Sequence, residues 1–143
     1  MSTTYETDIV AWAREQAALL RAGKLTRLDI EHIADEVEDV GKSEKRELAS
    51  RMAVLLAHLL KWRAQAAIRS ASWEVTIRVQ RKAIGAHLED APSLRATLRD
   101  PKWFAGVWGD AVDQATRETG LASFPEECPW TREQILELAF LPD

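Results

Sequence analysis

A chain of 143 residues with 46% hydrophobic and 29% charged side chains has the balance of one globular domain. A single cysteine, Cys128, excludes an intrachain disulfide and fits a reducing compartment. The net charge of −4 is uneven: residues 1–50 sum to −4, residues 51–100 to +5 and residues 101–143 to −5.

The N-terminus lacks the basic-then-apolar order of a secretory signal. The longest strongly apolar stretch, 52–60, is too short to span a bilayer and contains His58. A soluble, cytoplasmic protein with no membrane association is therefore expected.

Apolar residues recur at three- and four-residue spacing almost throughout, and strand-like alternation is absent, which predicts an all-α fold. The first helix is expected over about 6–22. Thr3 and Glu6 have capping-box spacing, Ile9, Trp12, Gln16 and Leu19–Leu20 share a face, and Gly23 stops the helix. The second is expected over about 27–40 behind Thr26. Ile30, Ile33, Val37 and Val40 form its stripe, and Gly41 ends or bends it. Ser43 can then cap a third helix over about 44–67. Its seam of Leu48, Met52, Leu55, Leu59 and Trp62, widened by Leu56 and Leu60, marks it as the central one.

The fourth helix, about 72–90, begins near Ser70 or Ser72, with Trp73, Ile77, Ile84 and Leu88 inward. A short helical turn follows near 93–99. Asp100-Pro101 then reads as an N-cap with proline at the first helical position, opening a fifth helix over about 101–119 that Gly120 stops. Pro125 and Pro129 exclude a regular helix between them. Thr131 and Gln134 repeat the capping-box spacing for a short last helix to about 139. The expected architecture is a single-domain helical bundle over 1–143, of about five main helices plus a short C-terminal one. The second and third helices are expected to meet at Gly41, and the segment from Leu121 to wrap across the bundle or reach a partner.

These segments in this order resemble the bacterial domain of unknown function 29 family. The carriers are Trp12 with Glu15-Gln16-Ala17, Ile33-Ala34-Asp35-Glu36-Val37-Glu38, Gly41, and Ser43-Glu44-Lys45-Arg46-Glu47-Leu48. They continue with Arg51, Leu55-Leu56-Ala57-His58-Leu59-Leu60-Lys61-Trp62, Arg69-Ser70-Ala71-Ser72-Trp73 and Phe124-Pro125-Glu126-Glu127-Cys128-Pro129. Trp130 departs from the pattern, where Tyr is expected. The resemblance spans nearly the whole chain and implies an all-helical bundle. It supplies no catalytic residues.

The residues themselves offer three constellations. Arg51 and His58, seven positions apart, project from one flank of the central helix. This spacing fits the Arg-x(4 to 6)-His signature of the higher-eukaryote-and-prokaryote nucleotide-binding ribonucleases. There His58 would act on a 2′-hydroxyl and Arg51 would stabilise phosphate charge, without a metal. Lys61, Arg63 and Arg69 would hold the nucleic acid. The plainer alternative pairs Arg51 with Glu47 or an acid of the second helix, and sets His58 at the edge of the core. A metal held by His32, Asp35, Glu36 and His58 is a weaker possibility, because the paired Glu-x-x-His motifs of di-iron bundles are absent.

Cys128 stands beside two carboxylates with no base nearby, which fits a structural thiol. Of the six tryptophans, Trp12, Trp62, Trp73 and Trp108 sit on apolar stripes and are expected in the core. Trp103 and Trp130 fall near segment ends and are candidates for an exposed partner surface with Phe140. No cofactor motif is present. The first functional expectation is a non-enzymatic interaction or regulatory module, with a protein partner or a homo-oligomer. The second is a nucleic-acid-binding protein or ribonuclease.

Overall fold

The computed structural model describes residues 4–143. These form six α-helices, two short 3₁₀ turns and no strand. Two compact units are resolved, residues 1–44 and 45–143.

In the first unit, helix α1 (Ile9–Arg21) is capped by Asp8, whose carboxylate accepts the Ala11 N–H. Asp8 stands where the expected start at residue 6 placed the first turn, and Thr3 lies outside the described residues. After Gly23, whose φ of 69° is open to glycine at no steric cost, the chain runs through a 3₁₀ turn at Leu25–Arg27. It returns so that Asp29 lies against Trp12 and Gln16. Trp12, Gln16 and Leu19 are the buried residues of α1.

Helix α2 (Ile30–Ala64) begins in the first unit and corrects the expected break. Gly41 lies inside it and Ser43 caps nothing. A glycine costs a helix interior only about 1 kcal/mol relative to alanine. Once helix exists on both sides, each further residue adds a backbone hydrogen bond. A Glu38–Lys42 pair at 3.9 Å also spans the glycine. The expected stripe of Ile30, Val37 and Val40 is not buried: their exposures are 68%, 67% and 65%.

The second unit holds the main core. Leu48, Met52, Leu55, Leu56, Leu59 and Leu60 of α2 are each at most 1% exposed, as the seam predicts. They pack with Ile77, Ile84 and Leu88 of α3 (Ala71–Asp90) and with Leu94 and Leu98 of α4 (Leu94–Arg99). Phe104, Val107, Trp108, Ala111 and Ala115 of α5 (Pro101–Thr119) complete this layer. Ser70 caps α3, Asp100 caps α5 with Pro101 behind it, and Gly120 ends α5 at φ 75°.

The C-terminal segment wraps across this unit. Pro125 O accepts the Trp108 indole N–H at 3.2 Å. Helix α6 (Arg132–Leu136) opens on the expected Thr131–Gln134 capping box and buries Ile135 completely. Trp103 and Trp130 are not exposed anchors; both are partly buried against the core. Trp130 meets Trp108 and Phe140 edge-on at 6.1 and 6.5 Å. The two prolines fold the segment back onto α5 and carry Trp130 inward. Among the described residues no helix is long and apolar enough to cross a membrane.

Candidate functional site

The first unit combines a polar cluster with an open apolar groove. Asp29, returning from the 3₁₀ turn, is the centre of the cluster. Its backbone N–H donates to Gln16 Oε1 at 2.8 Å, and its Oδ2 accepts from Trp12 Nε1 at 2.9 Å. The same oxygen lies 2.8 Å from His32 Nδ1, and Glu6 Oε1 lies 3.3 Å from His32 Nε2. Tyr5 stacks on the His32 ring at 4.2 Å between centroids and donates its hydroxyl to Glu36.

This geometry shifts the titration of its members. The hydrogen bond to Asp29 raises the pKa of His32, and the same bond lowers that of Asp29. The bond to Glu36 pushes Tyr5 up to about 12. His32 has these partners only when folded, so its contribution to stability is full below its ordinary value of 6.5 and fades as pH rises through the raised folded value. Hydrogen-exchange protection of α1 should therefore weaken across that window, and His32→Gln should flatten the dependence. An unchanged pH profile in the variant would show that the cluster does not hold α1.

Beside the cluster lies a groove of about 250 Å³ with Trp12 and Gln16 at its floor. Its walls are two ridges of i, i+4, i+7 spacing: Ala13, Ala17 and Leu20 on α1, and Ile33, Val37 and Val40 on α2. Seven of the twelve exposed large hydrophobic residues among those described lie in this unit. The sequence supplied the α2 ridge but not its exposure, because periodicity marks an apolar face without saying what covers it.

In the second unit, Arg51 and His58 turn to different neighbours. Arg51 Nη1 donates to Gln80 Oε1 of α3 at 3.4 Å, and Nη2 lies 3.9 Å from Glu47. Glu47 also meets His87 Nε2 at 3.2 Å. His58 is half-buried, and its Nδ1–H donates to Val54 O at 2.8 Å, since a carbonyl can only accept. Burial lowers its pKa, so the neutral ring is favoured.

Lys61 is buried rather than presented to solvent. Its ammonium lies 3.3 Å from Glu118 Oε2 and 4.9 Å from the Trp73 ring centroid. Burial opposes the Glu118 charge, but hydrogen bonds from Gln114 and Lys61 outweigh it and hold the carboxyl below its ordinary range. Arg69 stacks on Trp62 at 4.9 Å and donates to the carbonyls of Trp62 at 2.7 Å and Pro142 at 3.5 Å. Arg63 is exposed and borders a cavity of about 390 Å³ with Trp130 and Phe140. The Cys128 thiol donates to Trp130 O at 3.5 Å, and burial raises its pKa.

Two organising residues escaped the pattern reading. Asp29 gave a faint sign, an acid directly before the apolar Ile30. Arg81 gave a clearer one: it interrupts the inward stripe of Ile77, Ile84 and Leu88. It is 3% exposed and its Nε donates to Ile135 O at 2.7 Å.

Residues 4–141 match the family model described as "Domain of unknown function DUF29". A solved structure described as an alpha-helical protein of unknown function from Rhodospirillum rubrum is similar, with 26% identity and a TM-score of 0.62. The match covers 98% of this chain and 93% of that one. No curated protein matches.

Proposed function

The chain belongs to the family of the domain of unknown function DUF29, and on that premise we propose that it is a non-enzymatic interaction module. Its first unit docks an amphipathic helix of a protein partner in the groove between α1 and the first turns of α2. The observation that carries this reading is the open pair of apolar ridges, with Leu20, Val37 and Val40 at 48%, 67% and 65% exposure. Helix-in-groove recognition uses anchors at this same spacing. Charge supports the partner's chemistry: residues 1–44 carry ten carboxylates against five basic side chains, so an apolar stripe flanked by Lys or Arg fits best.

The alternative, action on nucleic acid through Arg51 and His58, draws less support. Each has a local partner, and Lys61 and Arg69 are occupied by Glu118 and by backbone carbonyls.

A photo-crosslinking residue in place of Val37, introduced in the producing cell, tests the proposal. A discrete protein adduct is expected from that position and not from exposed Asp110 on α5. Leu20→Glu with Val40→Glu should weaken the interaction by roughly tenfold or more, about 1.4 kcal/mol per tenfold. An adduct of twice the chain mass would identify the partner as a second copy. No adduct at Val37, or one indifferent to both glutamates, would sink the docking reading.

A further inference from the structure

Of the three basic residues that the sequence offers as an anion-binding face, only Arg63 is left free. Lys61 is paired with Glu118, and Arg69 is committed to Trp62 and Pro142. Free guanidinium groups gather elsewhere in the second unit. Arg95 and Arg99 stand four residues apart on α4, so they share a face. Both are exposed, and neither guanidinium has a hydrogen bond or ion pair with the described residues. With Arg132 they line one cavity of about 220 Å³, whose apolar walls are Leu98 and Leu136 and whose single carboxylate is Glu133.

Arg132 is fixed in place. Its Nε donates to Leu98 O at 3.1 Å, and its guanidinium lies over the Phe104 ring at 4.2 Å. These contacts hold the planar group while leaving its two Nη nitrogens unspent. A pre-set guanidinium loses less freedom on binding than a mobile one, and its paired N–H groups match two oxygens of an oxyanion. Three cations against one carboxylate leave the cavity with an excess of two positive charges, which an anion of charge −2 balances.

We propose that this cavity is a binding site for a phosphate group carried by a small molecule. Arg132 is the fixed donor, and Arg95 and Arg99 close on the remaining oxygens. The cavity offers about 220 Å³. That accommodates a phosphate and a short organic remainder lying against Leu98 and Leu136. The site is independent of the docking groove and stands or falls apart from it.

Calorimetric titration of the full chain with inorganic phosphate and then with pyrophosphate, at constant ionic strength set by sodium chloride, tests the assignment. Saturable binding is expected, with affinity in the range of about 0.1–5 mM for the bare anion. Arg95→Gln with Arg99→Gln should weaken it at least tenfold, and Arg117→Gln, on α5, should not change it. Arg132→Lys keeps the charge but not the paired donors and should also weaken it, with circular dichroism showing that each variant is folded. Heat that fails to saturate, or binding equal in the Arg95/Arg99 variant, would overturn the proposal. Co-sedimentation with vesicles containing phosphatidic acid, but not with phosphatidylcholine alone, and no response to either soluble anion would overturn it too, because the source would then be a lipid surface.

Discussion

Arg81→Ala is expected to destabilise the second unit by about 1.5–3 kcal/mol, the range for losing hydrogen bonds made by a charged group. Arg81 lies on the inward stripe of α3 at 3% exposure. Its Nε donates to Ile135 O at 2.7 Å, and its Nη atoms reach Leu138 O at 3.4 Å and Gln134 O at 3.5 Å. Two of these acceptors, Gln134 and Ile135, belong to the last residues of α6; Gln134 O also accepts the Glu137 N–H of the helix end at 3.2 Å. A helix of five residues has little stability of its own, so its position depends on this guanidinium and on burial of Ile135.

Lysine should not substitute, because one ammonium cannot reproduce three directed bonds to separate carbonyls. Urea titration gives the loss directly. Hydrogen exchange should show α6 released first. Arg81→Ala and Ile135→Ala should cost less together than the sum of each alone, because both undock the same segment. A loss below about 1 kcal/mol, the scale of one ordinary hydrogen bond, would mean that α6 is held by something else.

The second large effect is expected in the first unit. Trp12→Ala should remove about 3–5 kcal/mol of local stability, the range for deleting a buried tryptophan. Trp12 is 3% exposed, and only Gln16 and Leu19 are buried with it on α1. Its indole N–H is also a donor to Asp29, and its ring meets Tyr5 edge-on at 4.9 Å. So few buried groups give a unit of 44 residues no reserve to absorb such a loss.

Exchange protection should therefore collapse from α1 to the first turns of α2 while the leucine core keeps its own transition. Trp12→Phe separates the terms. It keeps most of the apolar area and removes the indole donor, for a loss of about 1 kcal/mol. If Trp12→Ala instead lowered the protection of α3 and α5 as much as that of α1, the two units would be unfolding as one.

What the sequence determined by itself is the local character of each segment. The all-α class, the helix starts at Ser70, Asp100 and Thr131, the stop at Gly120 and the leucine seam of α2 depend on neighbouring residues. Caps, proline positions and a repeating apolar face act within one or two turns, so they can be read along the chain. Gly41 marks where that reading fails, because a glycine weakens a helix without forbidding it, and the flanking turns decide.

Only the tertiary structure decided which apolar and basic faces are covered. Ile33, Val37 and Val40 repeat as regularly as Leu48, Met52 and Leu55, yet Val37 and Val40 lie open while the three latter residues are sealed. Lys61 and Arg63 are two positions apart, yet one is buried against Glu118 and Trp73 and the other is exposed. Arg95, Arg99 and Arg132 come together from distant positions around one cavity. The physical reason is common to all three cases. Periodicity fixes the direction in which a side chain leaves its own helix, but burial and pairing depend on what another part of the chain brings to that place.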